Sequence, residues 1–159
     1  MKIILHQGKP APKEAILALE AFIGHDISAA FREFLEANDG AKPESNIFKI
    51  SVDNDSGVNK FIPVSQIPQE LELIGNLPPR TYPIAWAEGG NYVVIDEDRE
   101  GKVFFWDHET RGSLIMLANN LGEFLMLLHP FDARSIPLRP DQVKRVWVDP
   151  EFLKKLKKS

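Results

Sequence analysis

Residues 82–107 carry the strongest pattern in the chain. They run Tyr82-Pro83-Ile84-Ala85-Trp86-Ala87, Glu88-Gly89-Gly90, Asn91-Tyr92-Val93-Val94-Ile95-Asp96, Glu97-Asp98-Arg99-Glu100-Gly101 and Lys102-Val103-Phe104-Phe105-Trp106-Asp107. Three runs rich in β-branched and aromatic residues are separated by two short polar, glycine-bearing joints. That spacing predicts an antiparallel meander, 82–87, 91–96 and 102–107, with tight turns at Gly89, Gly90 and Gly101 where a side chain would cost energy.

Outward from the meander the period changes. Ala15, Ile16, Leu19, Phe22 and Ile23 form one helical stripe that Gly24 stops. Asp26 or Ser28 can cap a second helix with Ile27, Phe31, Phe34 and Leu35 on one face, closed by Asn38-Asp39-Gly40. Residues 47–50 and 60–64 read as short strands around a turn at Asp53-Asn54-Asp55-Ser56-Gly57. A short helix is expected over 68–77, opened by Pro68 with Leu71 and Ile74 inward. An apolar run follows at 114–117. The last predicted helix of the body is 119–128, with Leu121, Phe124, Leu125 and Leu128 on one side and Gly122 weakening it by about 1 kcal/mol. Helices, then strands, then a helix is an α+β order, with helices packed on an antiparallel sheet; the βαβ alternation of a Rossmann-like fold is missing.

The 159 residues are 43% hydrophobic and 26% charged, with no cysteine. A chain of this size buries about 69% of its unfolded surface, enough for one core. The lack of cysteine excludes disulfides, a thiol nucleophile and thiolate metal sites. No apolar run reaches the roughly 18 residues of a membrane helix, and the opening residues are too short for a secretory signal, so a soluble cytoplasmic protein is expected, with no membrane partner. The net charge of −4 lacks the basic footprint of a nucleic-acid binder. The charge is also uneven. Residues 1–143 hold 13 basic and 21 acidic side chains, whereas 144–159 hold six basic and two acidic. Within that tail Asp149-Pro150 can cap a short basic helix bearing Phe152, Leu153 and Leu156, expected to fold back on the acidic body or to trail as a solubilising end.

Catalytic signatures are missing. There is no nucleophile elbow, no H-E-x-x-H, no phosphate-binding glycine loop, and His6, His25, His108 and His129 stand singly. Asp96, Asp98, Glu100, Gly101, Val103 and Asp107 do fall at calcium-loop spacings. Their flanks, however, read as strands and not as helices, so a hairpin with a charged tip is the expectation, and no metal or cofactor.

Several strings resemble those of a known superfamily. Phe31-Arg32-Glu33-Phe34-Leu35 followed by Asn38-Asp39-Gly40 is similar to the FxxFLxxxNGG signature of SUKH domains, although Asp39 stands where glycine is frequent. Residues 83–91, 94–96, 101–109 and 117–125, the last containing Phe124, continue the likeness in the same order. The resemblance implies a single SUKH-like domain over 1–129 with a C-terminal extension, 130–159. It gives Phe31, Phe34, Leu35, Gly40, Gly89, Gly90, Asp96, Gly101, Trp106 and Phe124 scaffold roles, with Phe34 and Trp106 in the core and Asp96 holding the turn after its strand. It further implies a non-enzymatic protein-binding domain, either an immunity protein that neutralises a secreted, nuclease-like toxin or a regulatory scaffold of the cell-wall-regulator type. A third reading, a metal-dependent hydrolase on Asp96, Asp98 and His108, rests on fewer residues. Glu88, Glu97, Asp98, Glu100, Asp107 and Glu109 are the candidate partner-binding residues, because an acidic surface complements the positive cleft of a nuclease.

Overall fold

The three runs of the meander are strands, and the sheet they begin extends on both sides. The computed structural model describes residues 3–110 and 113–130. In chain order the elements are β1 (Leu5–His6), α1 (Lys13–Ile23), α2 (Ala29–Asn38), β2 (Lys42–Pro43), β3 (Ile47–Ser51), β4 (Asn54–Phe61), α3 (Ile67–Ile74), β5 (Thr81–Ala87), β6 (Asn91–Asp96), β7 (Lys102–Asp107), β8 (Ser113–Ala118) and α4 (Leu121–Leu127). Strands β3 to β8 form one antiparallel sheet in sequential order, and β1 pairs with β2 separately. The α+β class expected from the sequence is the class observed. The basic tail helix expected after Asp149 lies outside the described residues.

Alternation along the strands decides what each face carries. Val93 and Ile95 on β6, with Val103 and Phe105 on β7, face the core. There Phe48 meets Phe105 at 5.9 Å and Phe124 of α4 at 5.6 Å. Phe31 of α2 stacks on Tyr82 at 5.5 Å, and Phe34 meets Phe61 edge-on at 4.9 Å. Helices α2 and α4 therefore cover the same face of the sheet. The Phe31, Phe34 and Leu35 face is buried as expected.

Local chemistry sets the helix ends. The Ser28 hydroxyl accepts from the Phe31 N–H, and the Asn120 side chain accepts from the Glu123 N–H. At the other end of α2 the chain turns through Gly40 at φ +68°, where a Cβ would stand 3.3 Å from the Pro63 ring. Asp39, in place of the frequent glycine, accepts from the Val64 N–H at 2.7 Å and so ties the end of α2 to the start of the α3 connection. Burial pushes its carboxyl above the ordinary range.

Four expectations are corrected. The turn expected at 53–57 shrinks to Val52-Asp53, because Asn54 to Gly57 pair with β3. Gly57 sits at a close approach: a Cβ there would lie 2.8 Å from the Glu88 carboxylate, which would have to swing aside. The strand expected over 60–64 ends at Phe61, and Val64–Gln66 make a 3₁₀ turn that leads into α3. Phe22, expected on the buried stripe of α1, is half exposed. Trp106, expected in the core, points to the opposite face because it alternates with core-facing Phe105, and it is only half-buried.

Candidate functional site

The face of the sheet opposite Phe105 presents a row of aromatic side chains. Register places Lys60 beside Trp86, Trp86 beside Tyr92, Tyr92 beside Trp106 and Trp106 beside Leu114. The Tyr92 and Trp106 rings meet edge-to-face at 5.5 Å, and all four apolar members of the row are half-buried. Tyr92 donates its hydroxyl proton to Glu70 of α3 at 2.5 Å. Burial first, and then that carboxylate, push the phenol above the usual tyrosine range, so it remains a donor. Rigid, half-buried Trp and Tyr side chains of this kind are the groups that anchor protein interfaces.

One long side of this row is flanked by acidic turn residues. The β5–β6 turn contributes Glu88, and the β7–β8 connection contributes Asp107 and Glu109. The two hairpins are tied together by Asn91, whose side-chain oxygen accepts from the His108 N–H at 3.0 Å and from His108 Nδ1 at 2.7 Å. Asp107 accepts from the Glu109 N–H, fixing the bend and leaving the Glu109 side chain exposed.

The remaining acidic candidates lie elsewhere. Glu97, Asp98 and Glu100 belong to the β6–β7 turn, at the far end of the six-residue strand β6. At about 3.4 Å per residue that is roughly 20 Å away. Exposed charges separated by more than about 8 Å are largely screened at physiological salt. The stretch 88–109 is thus two acidic patches.

Much of the far patch is engaged within the protein. Glu97 accepts from the Ser28 N–H at 3.1 Å and from the Tyr82 hydroxyl, linking the start of α2 to β5. Burial, and then Glu97, raise the ionisation of Tyr82 far beyond the ordinary phenol range. Asp98 pairs with Arg80 at 2.9 Å. Asp96 is buried; it accepts from the Asp98 N–H at 2.9 Å, holding the turn as expected, and lies 3.5 Å from Arg99, whose guanidinium covers Phe104. Glu100 is exposed, in the left-handed conformation, ahead of Gly101. The calcium-like spacing therefore spans a hairpin, and its first two carboxylates hold protein groups. Among the described residues no three His, Asp or Glu side chains converge as a metal site.

One polar centre had no signal in the sequence. Glu20 of α1 is buried and accepts from the Ile27 N–H at 2.9 Å and from Arg32 at 2.5 Å. Seven and twelve residues of separation leave no helical or strand spacing to betray it.

A sequence model of the SMI1 / KNR4 family (SUKH-1) matches residues 10–127, well over half of the chain. The match closes on the last residue of α4. No curated protein matches the chain. Among the described residues no helix is long and apolar enough to cross a membrane.

Proposed function

Because the chain belongs to the SMI1 / KNR4 family (SUKH-1), whose members are immunity or regulator-type domains acting through protein–protein contact, we propose that it is an immunity protein that binds and neutralises a nuclease-like toxin domain. The observation that carries the reading is the apolar row Trp86, Tyr92, Trp106 and Leu114, with the exposed Glu88 and Glu109 on the turns beside it. The aromatic side chains supply apolar contact at little entropic cost, since the sheet already holds them. The acidic rim attracts a basic partner from solution and disfavours an acidic one. A nucleic-acid-cleaving domain carries the basic cleft that such a rim complements. The protein works by occupying that cleft, without a chemical step of its own.

The test looks for a toxin domain encoded beside the gene, whose absence counts against the reading, and pairs that domain with the full chain. Co-expression should restore growth, and Trp86→Ala or Trp106→Ala should abolish the protection while leaving a cooperatively folded protein. Growth arrest despite a stable, expressed wild-type chain would defeat the proposal. Capture of a cell-wall regulatory protein in its place would establish the scaffold reading.

A further inference from the structure

The six-stranded sheet ends in two unlike edges. At one, β3 carries the exposed Lys49, and its Ile47 exchanges two backbone hydrogen bonds of 2.9 Å with His129, so that edge is charged and partly covered. At the other, β8 runs Ser113-Leu114-Ile115-Met116-Leu117-Ala118, without a charge or a proline. Among the described residues it pairs with β7 alone, in regular register from Ser113 to Met116. Ile115 and Met116 are 37% and 48% exposed, whereas Ala118 is buried, so the open stretch is 113–117. An apolar edge of this kind presents a line of backbone N–H and C=O groups to another strand, a liability that sheets ordinarily blunt with lysine, proline or a covering segment.

The strand is its own best match. We infer that two copies of the chain join through β8, antiparallel, into one continuous sheet. Directly opposite side chains of an antiparallel pair lie on the same face, so the two-fold axis passes through a residue and not between two. Ile115 is the midpoint of the open stretch. Pairing about it sets Ile115 against Ile115 of the second copy on the side of Phe105. Leu114 then meets the second copy's Met116 on the face of Trp106, and the exposed side chains are covered. Having no charge, β8 brings no like charges together at the seam. Charge also selects the antiparallel sense in a chain of net charge −4. Asp107 pairs with Ser113, and the exposed Glu109 follows it, so the acid lies at the Ser113 end of the strand. Antiparallel pairing brings Leu117 of the second copy to that end, four residues and roughly 14 Å from the second copy's own acidic turn. That exceeds the screening length of about 8 Å. The two apolar rows then share one face, which stays open for a partner.

The test uses the full chain alone. Sedimentation velocity should show a monomer–dimer equilibrium with a Kd of about 1–100 μM, as suits a contact smaller than a standard interface. Met116→Lys, at an exposed position, should weaken the dimer about tenfold or more, whereas Leu73→Lys on α3, 69% exposed, should leave it unchanged. Because the chain has no cysteine, the register can be read directly. Ile115→Cys alone should close a disulfide between two copies under mild oxidation, about tenfold faster or more than Leu73→Cys. Hydrogen exchange of the unaltered chain gives an independent reading: amides of 113–117 should slow about tenfold or more between dilute and concentrated protein. A monomer at every concentration, β8 amides whose exchange ignores concentration, or a dimer that survives Met116→Lys would overturn the inference.

Discussion

Glu20 sets the terms at the scale of single residues. Its carboxylate is buried, and the Arg32 hydrogen bond, joined by the Ile27 N–H, holds its ionisation below the ordinary value of 4.5 against the opposing effect of burial. A carboxyl that is a stronger acid in the folded chain stabilises the fold above its unfolded pKa. That contribution is lost as pH falls through the lower folded value. Glu20→Gln keeps an acceptor for Ile27 but weakens the bond to Arg32, so it should cost about 1–3 kcal/mol at pH 7. Denaturant midpoints followed from pH 7 to pH 2 should show the gap between wild type and variant closing at the acid end. A gap that stays constant would mean that Glu20 acts by packing and not by charge. Tyr82 offers a companion measurement. Removing its hydroxyl in Tyr82→Phe leaves Glu97 with only the Ser28 N–H of the two contacts, and should destabilise by about 1–3 kcal/mol, whereas Tyr92→Phe at the more open surface should cost less.

At the scale of elements, one strand shows why part of the fold is legible in sequence and part is not. The boundaries of β6 and β7 follow from runs of β-branched and aromatic residues ended by glycine-bearing turns, and those signals are local. Phe104-Phe105-Trp106, by contrast, is apolar on both faces, so alternation alone does not say which side meets the helices. Only the meeting of Phe105 with Phe48, which in turn meets Phe124 of α4, decides it, and these contacts join residues far apart in the chain. The same limit explains β4, where Asn54 to Gly57 look like a turn and are drawn into the sheet by β3. Two predictions belong here. Phe34→Ala should cost about 3–5 kcal/mol, since it empties a buried contact with Phe61, whereas Trp106→Ala should cost clearly less and leave a cooperative melt. Equal losses in thermal or denaturant unfolding would contradict the assignment of faces. The hairpin between β6 and β7 should also be indifferent to calcium: Asp96 and Asp98 already serve the Asp98 N–H, Arg99 and Arg80. Millimolar calcium that raised the melting temperature by several degrees, and no longer did so in Asp98→Ala, would show a cation site there.

For the whole molecule the question is which acidic patch a partner meets. In sequence order the candidates from Glu88 to Glu109 read as a single acidic surface. The sheet separates the two ends of that stretch and engages Glu97 in holding α2 to β5, so reversal at Glu97 tests folding and not binding. Glu88 and Glu109, on neighbouring hairpins and exposed, are the informative pair. Charges on a rim act chiefly on encounter, because attraction at a distance speeds diffusion together while contributing little once the apolar centre has closed. Glu88→Lys with Glu109→Lys should therefore slow association with the toxin domain at low salt by about tenfold or more, and flatten its dependence on ionic strength. Dissociation should change little. Trp106→Ala should do the reverse, leaving association nearly intact and speeding dissociation, since it removes contact made only in the complex. The two variants thus separate steering from anchoring on one surface. An association rate at low salt that ignores the Glu88 and Glu109 reversal, but falls on reversal of Glu100 alone, would move the interface to the β6–β7 end of the sheet.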